Sequence, residues 1–246
     1  MRFVAALAAG ATLLFAVPAA AQLGGGGPPA KPEIETFKGV GADPKAAVAT
    51  SVAADPENTW ILDLSSGGRV AIRLRPDVAP KMVAQIKTLT RRKFYDGIIF
   101  HRVIDGPENM AQGGDPTGTG GGDSDLPDVP AEFNNLPHVR GAVSAARKGA
   151  PATATPEQRK AAEDSANSQF FIMFGPRLGF DHDYTVFGRV SEGMQWVDKI
   201  ERGEPPANPT KIVHAYIAAD NPPPFQPAPV TAPALPEGET RVTLPQ

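Results

Sequence analysis

The chain has 246 residues, a formal net charge of −3 and no cysteine. Its length suits one compact domain with tails, and its small negative charge excludes the basic surface with which nucleic-acid-binding proteins displace counterions. Without cysteine, neither disulfides nor the usual structural zinc sites can form, so the burial of apolar side chains must hold the fold together.

The first 21 residues have the pattern of a secretory signal peptide. Arg2 supplies a positive charge, residues 3–17 are almost all apolar, and Ala19–Ala21 follow Pro18 as the small residues that signal peptidase accepts. The apolar run is shorter than the roughly 20 residues that a helix needs to span a bilayer. We therefore predict cleavage after this segment, export to the periplasm and no stable membrane insertion. Residues 22–55, which are rich in glycine, proline and alanine and lack a sustained period, are interpreted as a flexible tether.

Regular patterning begins with a predicted β-hairpin. Apolar residues alternate along residues 60–64 and 70–74, and the Ser65–Gly68 segment between them has the composition of a turn. Apolar residues within 78–92 recur at the spacing of one helix face, which predicts a first helix. A three-residue apolar spacing predicts a second, short helix over residues 193–200. Further strand-like runs occur at residues 94–103, 141–145, 169–174, 185–190 and 211–219.

The remaining segments have the composition of loops. Residues 113–122 are too rich in glycine for a regular element. Residues 148–164 form an insertion, in which Thr155 before Pro156, with Gln158 three positions on, has the form of an N-cap and capping box. We therefore predict one short surface helix there. From residue 220 to residue 246 the chain is a proline-rich tail, which we expect to be mobile.

The succession of elements favours a mainly β fold. Many short strands, separated by turns of glycine and proline, indicate a closed or nearly closed antiparallel barrel rather than βαβ units. Residues 113–122 have neither the lysine of a P-loop nor the spacing of a dinucleotide site, and the serines lack the G-x-S-x-G pattern of hydrolases. The four histidines have no i, i+4 pair. We therefore expect no cofactor and no metal.

Three segments carry a more specific signal. The first comprises FYDGIIFHRVI at residues 94–104 and QGGDPTGTG at 112–120, the second is SANSQFFI at 165–172, and the third is YTVFGRV at 184–190. In this order and spacing they resemble the cyclophilin family of peptidyl-prolyl cis-trans isomerases, over about residues 56–219. The resemblance implies an isomerase domain built as a closed, eight-stranded antiparallel barrel with two capping helices. It also implies action on proline-containing unfolded or exported polypeptides, and we expect a monomer.

The reaction of this family gives an arginine a clear role. Rotation about an X–Pro bond has a barrier of about 18–20 kcal/mol, because the nitrogen donates its lone pair into the carbonyl. At the halfway twist this lone pair becomes basic, so a fixed guanidinium stabilises the transition state more than the planar ground state. Arg102 matches the family's catalytic arginine. The resemblance also implies a set of substrate-binding residues, comprising a proline pocket of Met110, Phe171 and Phe180, backbone-binding Gln112 and Gln169, and further contacts from His101, Ala146, Arg147 and Tyr184.

The sequence departs from the family pattern at several places. Pro107, Glu108 and Asn109 stand where the family has a single phenylalanine, which removes one aromatic wall of the proline pocket. Gly179 occupies the position of a tryptophan that contacts cyclosporin in many members, so we predict weak cyclosporin sensitivity. The altered wall leaves open an alternative function, that of a cyclophilin-fold chaperone or peptide-binding module without catalysis. The insertion at residues 148–164 either gates the groove or is plain surface, and we favour the second interpretation.

Overall fold

The computed structural model describes residues 55–226, which form one antiparallel β-sheet of eight strands and, within these residues, three α-helices. The predicted signal peptide, all but the last residue of the predicted tether, and residues 227–246 of the predicted tail lie outside the described residues. The strands are β1 (Thr59–Leu64), β2 (Gly68–Leu74), β3 (Phe100–Ile104), β4 (Met110–Gly113), β5 (Ala142–Ala145), β6 (Phe170–Met173), β7 (Val186–Glu192) and β8 (Ile212–Ile217). The helices are α1 (Pro80–Arg91), α2 (Pro156–Glu163) and α3 (Met194–Val197).

The strands follow the order β3-β4-β6-β5-β7-β2-β1-β8 across the sheet, and every neighbouring pair is antiparallel. The predicted hairpin is confirmed, since Thr59 pairs with Arg73 and Leu64 with Gly68. Strand β4 was not predicted, because its four residues are too few to show an alternating pattern. The mainly β, antiparallel class predicted from the sequence is therefore confirmed.

The prediction of a closed barrel is wrong. The edge strands β3 and β8 are not joined by a continuous ladder. One isolated bridge, Ile99 to Lys211, and a few backbone hydrogen bonds connect residues 97–100 with residues 210–212, so the sheet is an open half-barrel. The cause lies in the segment before β3, where the sequence predicted strand from residue 94. Lys93 and Gly97 have φ of 58° and 85°, and such left-handed residues turn the backbone out of extended conformation. Strand β3 therefore begins only at Phe100 and is too short to pair fully with β8.

The helices follow the sequence pattern in type, although not always in length. Helix α1 starts with Pro80 at its first turn and buries Met82 and Ile86 on one face. Helix α2 has the predicted capping box, in which the Thr155 side chain accepts from Gln158 N. Helix α3 is a single turn, shorter than predicted. The expected pair of capping helices is thus one long helix and one turn, and no helix within residues 55–226 is long and apolar enough to cross a bilayer.

Two apolar clusters lie on opposite faces of β6, because successive side chains of a strand point to opposite sides. Phe170 and Ile172 belong to the larger cluster, where Phe170 packs edge-on against Trp60 with ring centroids 4.9 Å apart. Phe171 and Met173 belong to the smaller cluster on the other face. The larger cluster is the core of the domain, and the smaller one positions the candidate site.

The first residues of the predicted tail contact the sheet. The Nη2 of Arg69 donates to the Pro223 carbonyl at 3.1 Å, and its guanidinium lies 5.5 Å from the centroid of the Phe225 ring. These contacts continue the chain along the surface beside β2.

Candidate active site

An aromatic pocket is centred on Phe171. The Phe171 ring lies 5.9 Å from the Phe180 ring and 5.3 Å from the Tyr184 ring, measured between centroids. Phe171 is only 2% exposed, whereas Phe180 and Tyr184 are half-buried and open the cluster to the surface. Met110 and Ala146 belong to the same cluster. The structure thus brings together the predicted proline-pocket residues, and the flat apolar wall suits a pyrrolidine ring.

A buried histidine that sequence reasoning missed supports this pocket. His138 is fully buried, and its ring stacks on Phe171 with a centroid distance of 6.1 Å. Its Nδ1 lies 2.8 Å from Oδ1 of Asp181, the residue that follows Phe180. Burial lowers the pKa of His138, while the Asp181 carboxylate acts in the opposite direction. A neutral His138 that donates from Nδ1 to Asp181 therefore fixes the position of the Phe180 loop.

Arg102, Gln112 and Phe171 form a row across three neighbouring strands. Arg102 on β3 pairs with Gln112 on β4, which pairs with Phe171 on β6. Paired residues of an antiparallel sheet project their side chains to the same face, and adjacent strands lie about 4.8 Å apart. The row therefore spans about 10 Å between the first and third backbones, which is about the length of three extended residues.

Beside this row lies a groove of about 630 Å³. It is lined by His101, Arg102, Gln112, Gly118, Thr119, Gly120, Glu204 and Pro205. The Arg102 side chain is 34% exposed and so can be reached from solvent. His101 is buried, and burial lowers its pKa. A neutral His101 leaves Arg102 as the cationic group among the residues that line the groove.

A second, smaller cavity of about 100 Å³ continues the groove. Its lining shares Gln112 and Gly120 with the first and adds Gly121, Asp123, Ala146, Arg147, Lys148, Ser165 and Gln169. All ten residues predicted from the sequence therefore lie in the groove, in this cavity or in the aromatic pocket. Their individual roles stay predictions.

Arg147 is turned back against the aromatic pocket. Its guanidinium lies 4.8 Å from the centroid of the Tyr184 ring, and its Nε donates to the Asp183 carbonyl at 3.0 Å. Lys148, the first residue of the insertion, lines the smaller cavity, whereas helix α2 contributes no residue to its lining. The insertion thus borders the smaller cavity at its first residue, and its interpretation as plain surface stays a prediction.

The two glutamines form a hydrogen-bonded chain with the glycine-rich loop. Gln112 Nε2 donates to Gln169 Oε1 at 3.0 Å. Gln169 Nε2 in turn donates to the carbonyls of Gly120 and Gly122, at 3.1 and 2.8 Å. Gln169 therefore holds the loop, while Gln112 is the glutamine that faces both cavities.

Asp115 holds the same glycine-rich loop through hydrogen bonds to its backbone. The sequence analysis did not assign this role. Asp115 is 1% exposed, and its carboxylate accepts from the backbone N–H of Thr117, Thr119 and Gly120 at 2.7, 3.0 and 2.6 Å. Burial alone would raise the pKa of Asp115, but hydrogen bonds from Thr117, Gly122 and Gly120 lower it to about 2. An aspartate directly before a proline, as at Asp115 and Pro116, is a sequence signal of such a turn.

The segment of Pro107, Glu108 and Asn109 leaves the aromatic pocket open. Pro107 is exposed and is not part of the apolar cluster around Phe171. The segment instead brings Glu108 to Arg102, whose Nη2 donates to Glu108 Oε2. Where the resemblance implied an aromatic wall, this segment places a carboxylate beside Arg102.

No group of three or more histidine, aspartate or glutamate side chains within residues 55–226 is arranged to hold a metal ion. The site geometry alone therefore offers a guanidinium, amides and an apolar pocket. These groups suit the binding of an extended peptide and the stabilisation of a polarised transition state.

Comparisons with known proteins agree with this geometry. Residues 61–217 match the family model described as "Cyclophilin type peptidyl-prolyl cis-trans isomerase/CLD". A Brucella suis protein named "Probable peptidyl-prolyl cis-trans isomerase" is 47% identical over 188 residues, which are 71% of this chain and 89% of that protein. Peptidyl-prolyl cis-trans isomerase B of Bacillus subtilis is 35% identical, covering 57% of this chain and 89% of its own length. The crystal structure of cyclophilin AquaCyp293 from Hirschia baltica has a TM-score of 0.58 and 29% identity, covering 69% of this chain and 77% of that one.

Proposed function

Because the chain belongs to the family of cyclophilin-type peptidyl-prolyl cis-trans isomerases, we propose that it accelerates X–Pro rotation in exported polypeptides through the guanidinium of Arg102. The observation that carries this proposal is the cross-strand row of Arg102, Gln112 and Phe171, which share one face of the sheet. Arg102 and Gln112 line the groove, and Phe171 is the centre of the aromatic pocket beside it. A donor, a backbone-binding amide and an apolar pocket then lie within reach of one extended peptide.

In this mechanism the pocket around Phe171 holds the proline ring, and Gln112 holds the peptide backbone on one side of the X–Pro bond. The other side rotates. As the imide nitrogen loses conjugation, a guanidinium N–H of Arg102 donates to its lone pair, an interaction that the planar ground state lacks. Lowering the barrier by about 7 kcal/mol would give an acceleration on the order of 10⁵. No covalent bond is made or broken.

The test is the cis-to-trans relaxation of a short proline peptide. We expect Arg102→Ala to lower kcat/KM by about 10²-fold or more, because the loss of one transition-state donor has effects of this order. Arg102→Lys keeps the positive charge but loses the planar guanidinium with its fixed N–H donors. We therefore expect it to keep only part of the wild-type activity. Arg189→Ala removes an exposed arginine of β7 and is the matched control. Equal rates for the wild type and Arg102→Ala would contradict the proposed mechanism.

The alternative function is peptide binding without catalysis. It is motivated by Glu108, which accepts a hydrogen bond from Nη2 of the Arg102 guanidinium. It predicts suppression of aggregation that persists in Arg102→Ala, together with no measurable acceleration of relaxation by the native protein. The same relaxation assay therefore separates the two functions.

We also propose that the protein works in the periplasm, where proline rotation limits the folding of exported chains. The support is the signal-peptide pattern of residues 1–21. Fusion of residues 1–30 to alkaline phosphatase, which is active only after export, should give active enzyme. A fusion that stays inactive and uncleaved in the cytoplasm would contradict export.

A further inference from the structure

Two carboxylates contact the same edge of the Arg102 guanidinium. Nη2 donates to Glu108 Oε2, and Nε lies 2.5 Å from Glu204 Oε1. Nε and Nη2 form one edge of the planar group, whose five N–H directions are fixed relative to one another. Nη1, on the remaining side, donates no hydrogen bond to any of the described residues. The contacts therefore fix the guanidinium plane and leave Nη1 free for a ligand.

Glu204 is held in place by the strand that carries Arg102. Its neighbour Gly203 exchanges two backbone hydrogen bonds with Val103, at 2.9 and 2.8 Å. A side chain at Gly203 would meet backbone atoms of Pro206 at 2.5 Å, so the loop passes close against itself here. Glu204 therefore directly follows a residue, Gly203, that is hydrogen-bonded to β3. These backbone contacts set the position of Glu204 relative to β3.

Glu108 comes from a second loop that is anchored in a comparable way. The carbonyl of Asn109, the next residue, accepts from Phe174 N at 2.9 Å. Gly106 and Asn109 have φ of 88° and 50°, which turns the short segment tightly between β3 and β4. Both carboxylates are thus attached to backbone that is fixed by hydrogen bonds or tight turns. The Arg102 side chain, by contrast, has many rotamers of its own.

The two loops are also joined to each other. Arg202 of the Glu204 loop has its Nε 3.1 Å from Oδ1 of Asp105, which lies in the Glu108 loop. The Arg202 guanidinium in addition lies 3.9 Å from the centroid of the Phe174 ring. The carboxylates that contact Arg102 are therefore parts of one connected structure.

We propose that Glu108 and Glu204 are positioning residues for Arg102, which they hold so that Nη1 faces the groove. This inference rests on the proposed function of Arg102. A guanidinium that is already oriented does not have to be ordered during the reaction, and preorganised donors stabilise a transition state more than mobile ones. Glu108 belongs to the segment that departs from the family pattern, so the family resemblance did not predict this part of the arrangement.

The first test measures kcat and KM separately for Glu108→Gln, Glu204→Gln and the double variant. We expect kcat to fall about threefold for each single variant and about tenfold for the double variant, because orientation is lost. KM should change less than twofold, since the proline pocket is untouched. Glu192→Gln removes the same charge from an exposed position on β7 and should behave as the wild type. An unchanged or increased kcat in the double variant would overturn the proposal.

The second test repeats the double substitution in the Arg102→Ala background. A residue that acts only through Arg102 has no effect once Arg102 is gone, so kcat should not fall further. A further tenfold loss would show that the carboxylates act independently of Arg102 and would overturn the proposal. If Arg102→Ala alone were as active as the wild type, the proposed mechanism would fail instead, so the two failures are distinguishable.

The third test observes the Arg102 side chain directly. The Nε–H signal of Arg102 in a ¹⁵N NMR spectrum, assigned by its loss in Arg102→Lys, should shift and exchange faster with water in Glu204→Gln. The same signal should be unchanged in Glu192→Gln. Identical Nε–H signals in the wild type and Glu204→Gln would contradict the positioning role.

Discussion

Replacement of Asp115 by asparagine should destabilise the domain by an amount that depends on pH. The Asp115 carboxylate accepts three backbone N–H groups of the glycine-rich loop, and its pKa is lowered from 3.8 to about 2. At about 1.4 kcal/mol for each tenfold change, this lowering corresponds to about 2 kcal/mol. Because the folded-state pKa is below the unfolded value, this stabilisation is present above about pH 4 and is lost as the pH falls towards 2.

Urea unfolding of the wild type and Asp115→Asn at several pH values is the corresponding measurement. We expect a difference in the free energy of unfolding of about 2 kcal/mol at pH 7 that shrinks as the pH approaches 2. Other carboxylates titrate in both proteins, so their effects cancel in the difference. Asp77→Asn, which removes an exposed carboxylate paired with Arg75, should change stability by less than about 1 kcal/mol. A difference that is absent at pH 7, or that is equal at both ends of the range, would refute the reasoning.

Three further predictions concern features outside the catalytic groups. Thr155→Ala removes the N-cap of α2, whose side chain accepts a hydrogen bond from Gln158 N. It should lower the free energy of unfolding, measured by heat or urea, by about 1 kcal/mol without changing kcat/KM. An unchanged stability would contradict the capping role. Gly68→Ala places a Cβ 2.0 Å from the Trp196 ring. This clash should lower the free energy of unfolding by about 1–3 kcal/mol. A stability equal to that of the wild type would show that the ring can move aside at no cost. Cyclosporin should inhibit the wild type weakly. A Cβ at position 179 would meet only one atom, of Arg177, at 4.0 Å, so Gly179→Trp should fold. This variant should bind the drug more tightly than the wild type. Nanomolar inhibition of the wild type would refute the first part of this prediction, and no gain in the variant would refute the second.

Periodicity along the chain was sufficient to predict most of the regular elements. The hairpin of β1 and β2, helix α1 and the capping box of α2 depend on neighbours a few residues apart, so their patterns are visible locally. Strand β4 and the start of β3 were not predicted correctly. β4 has only four residues, and β3 is shortened by left-handed turns at Lys93 and Gly97.

The contents of the site could be predicted from motifs, whereas its supporting contacts could not. The family motifs identified Arg102, Gln112 and Phe171 as site residues, and strand pairing places them in one row. His138 stacks beneath Phe171 from a segment that carries no motif of its own. Glu204 reaches Arg102 across 102 positions of sequence, through the pairing of Gly203 with Val103.

The sequence by itself therefore determined the family, the β-rich class and the ten candidate site residues, because these follow from local periodicity and from motif order. Only the tertiary structure decided that the sheet stays open between β3 and β8, and that one edge of Arg102 is occupied by two carboxylates. Both results depend on how loops far apart in the chain fold against β3. Such contacts are set by the packing of the whole domain and leave no period or spacing in the sequence.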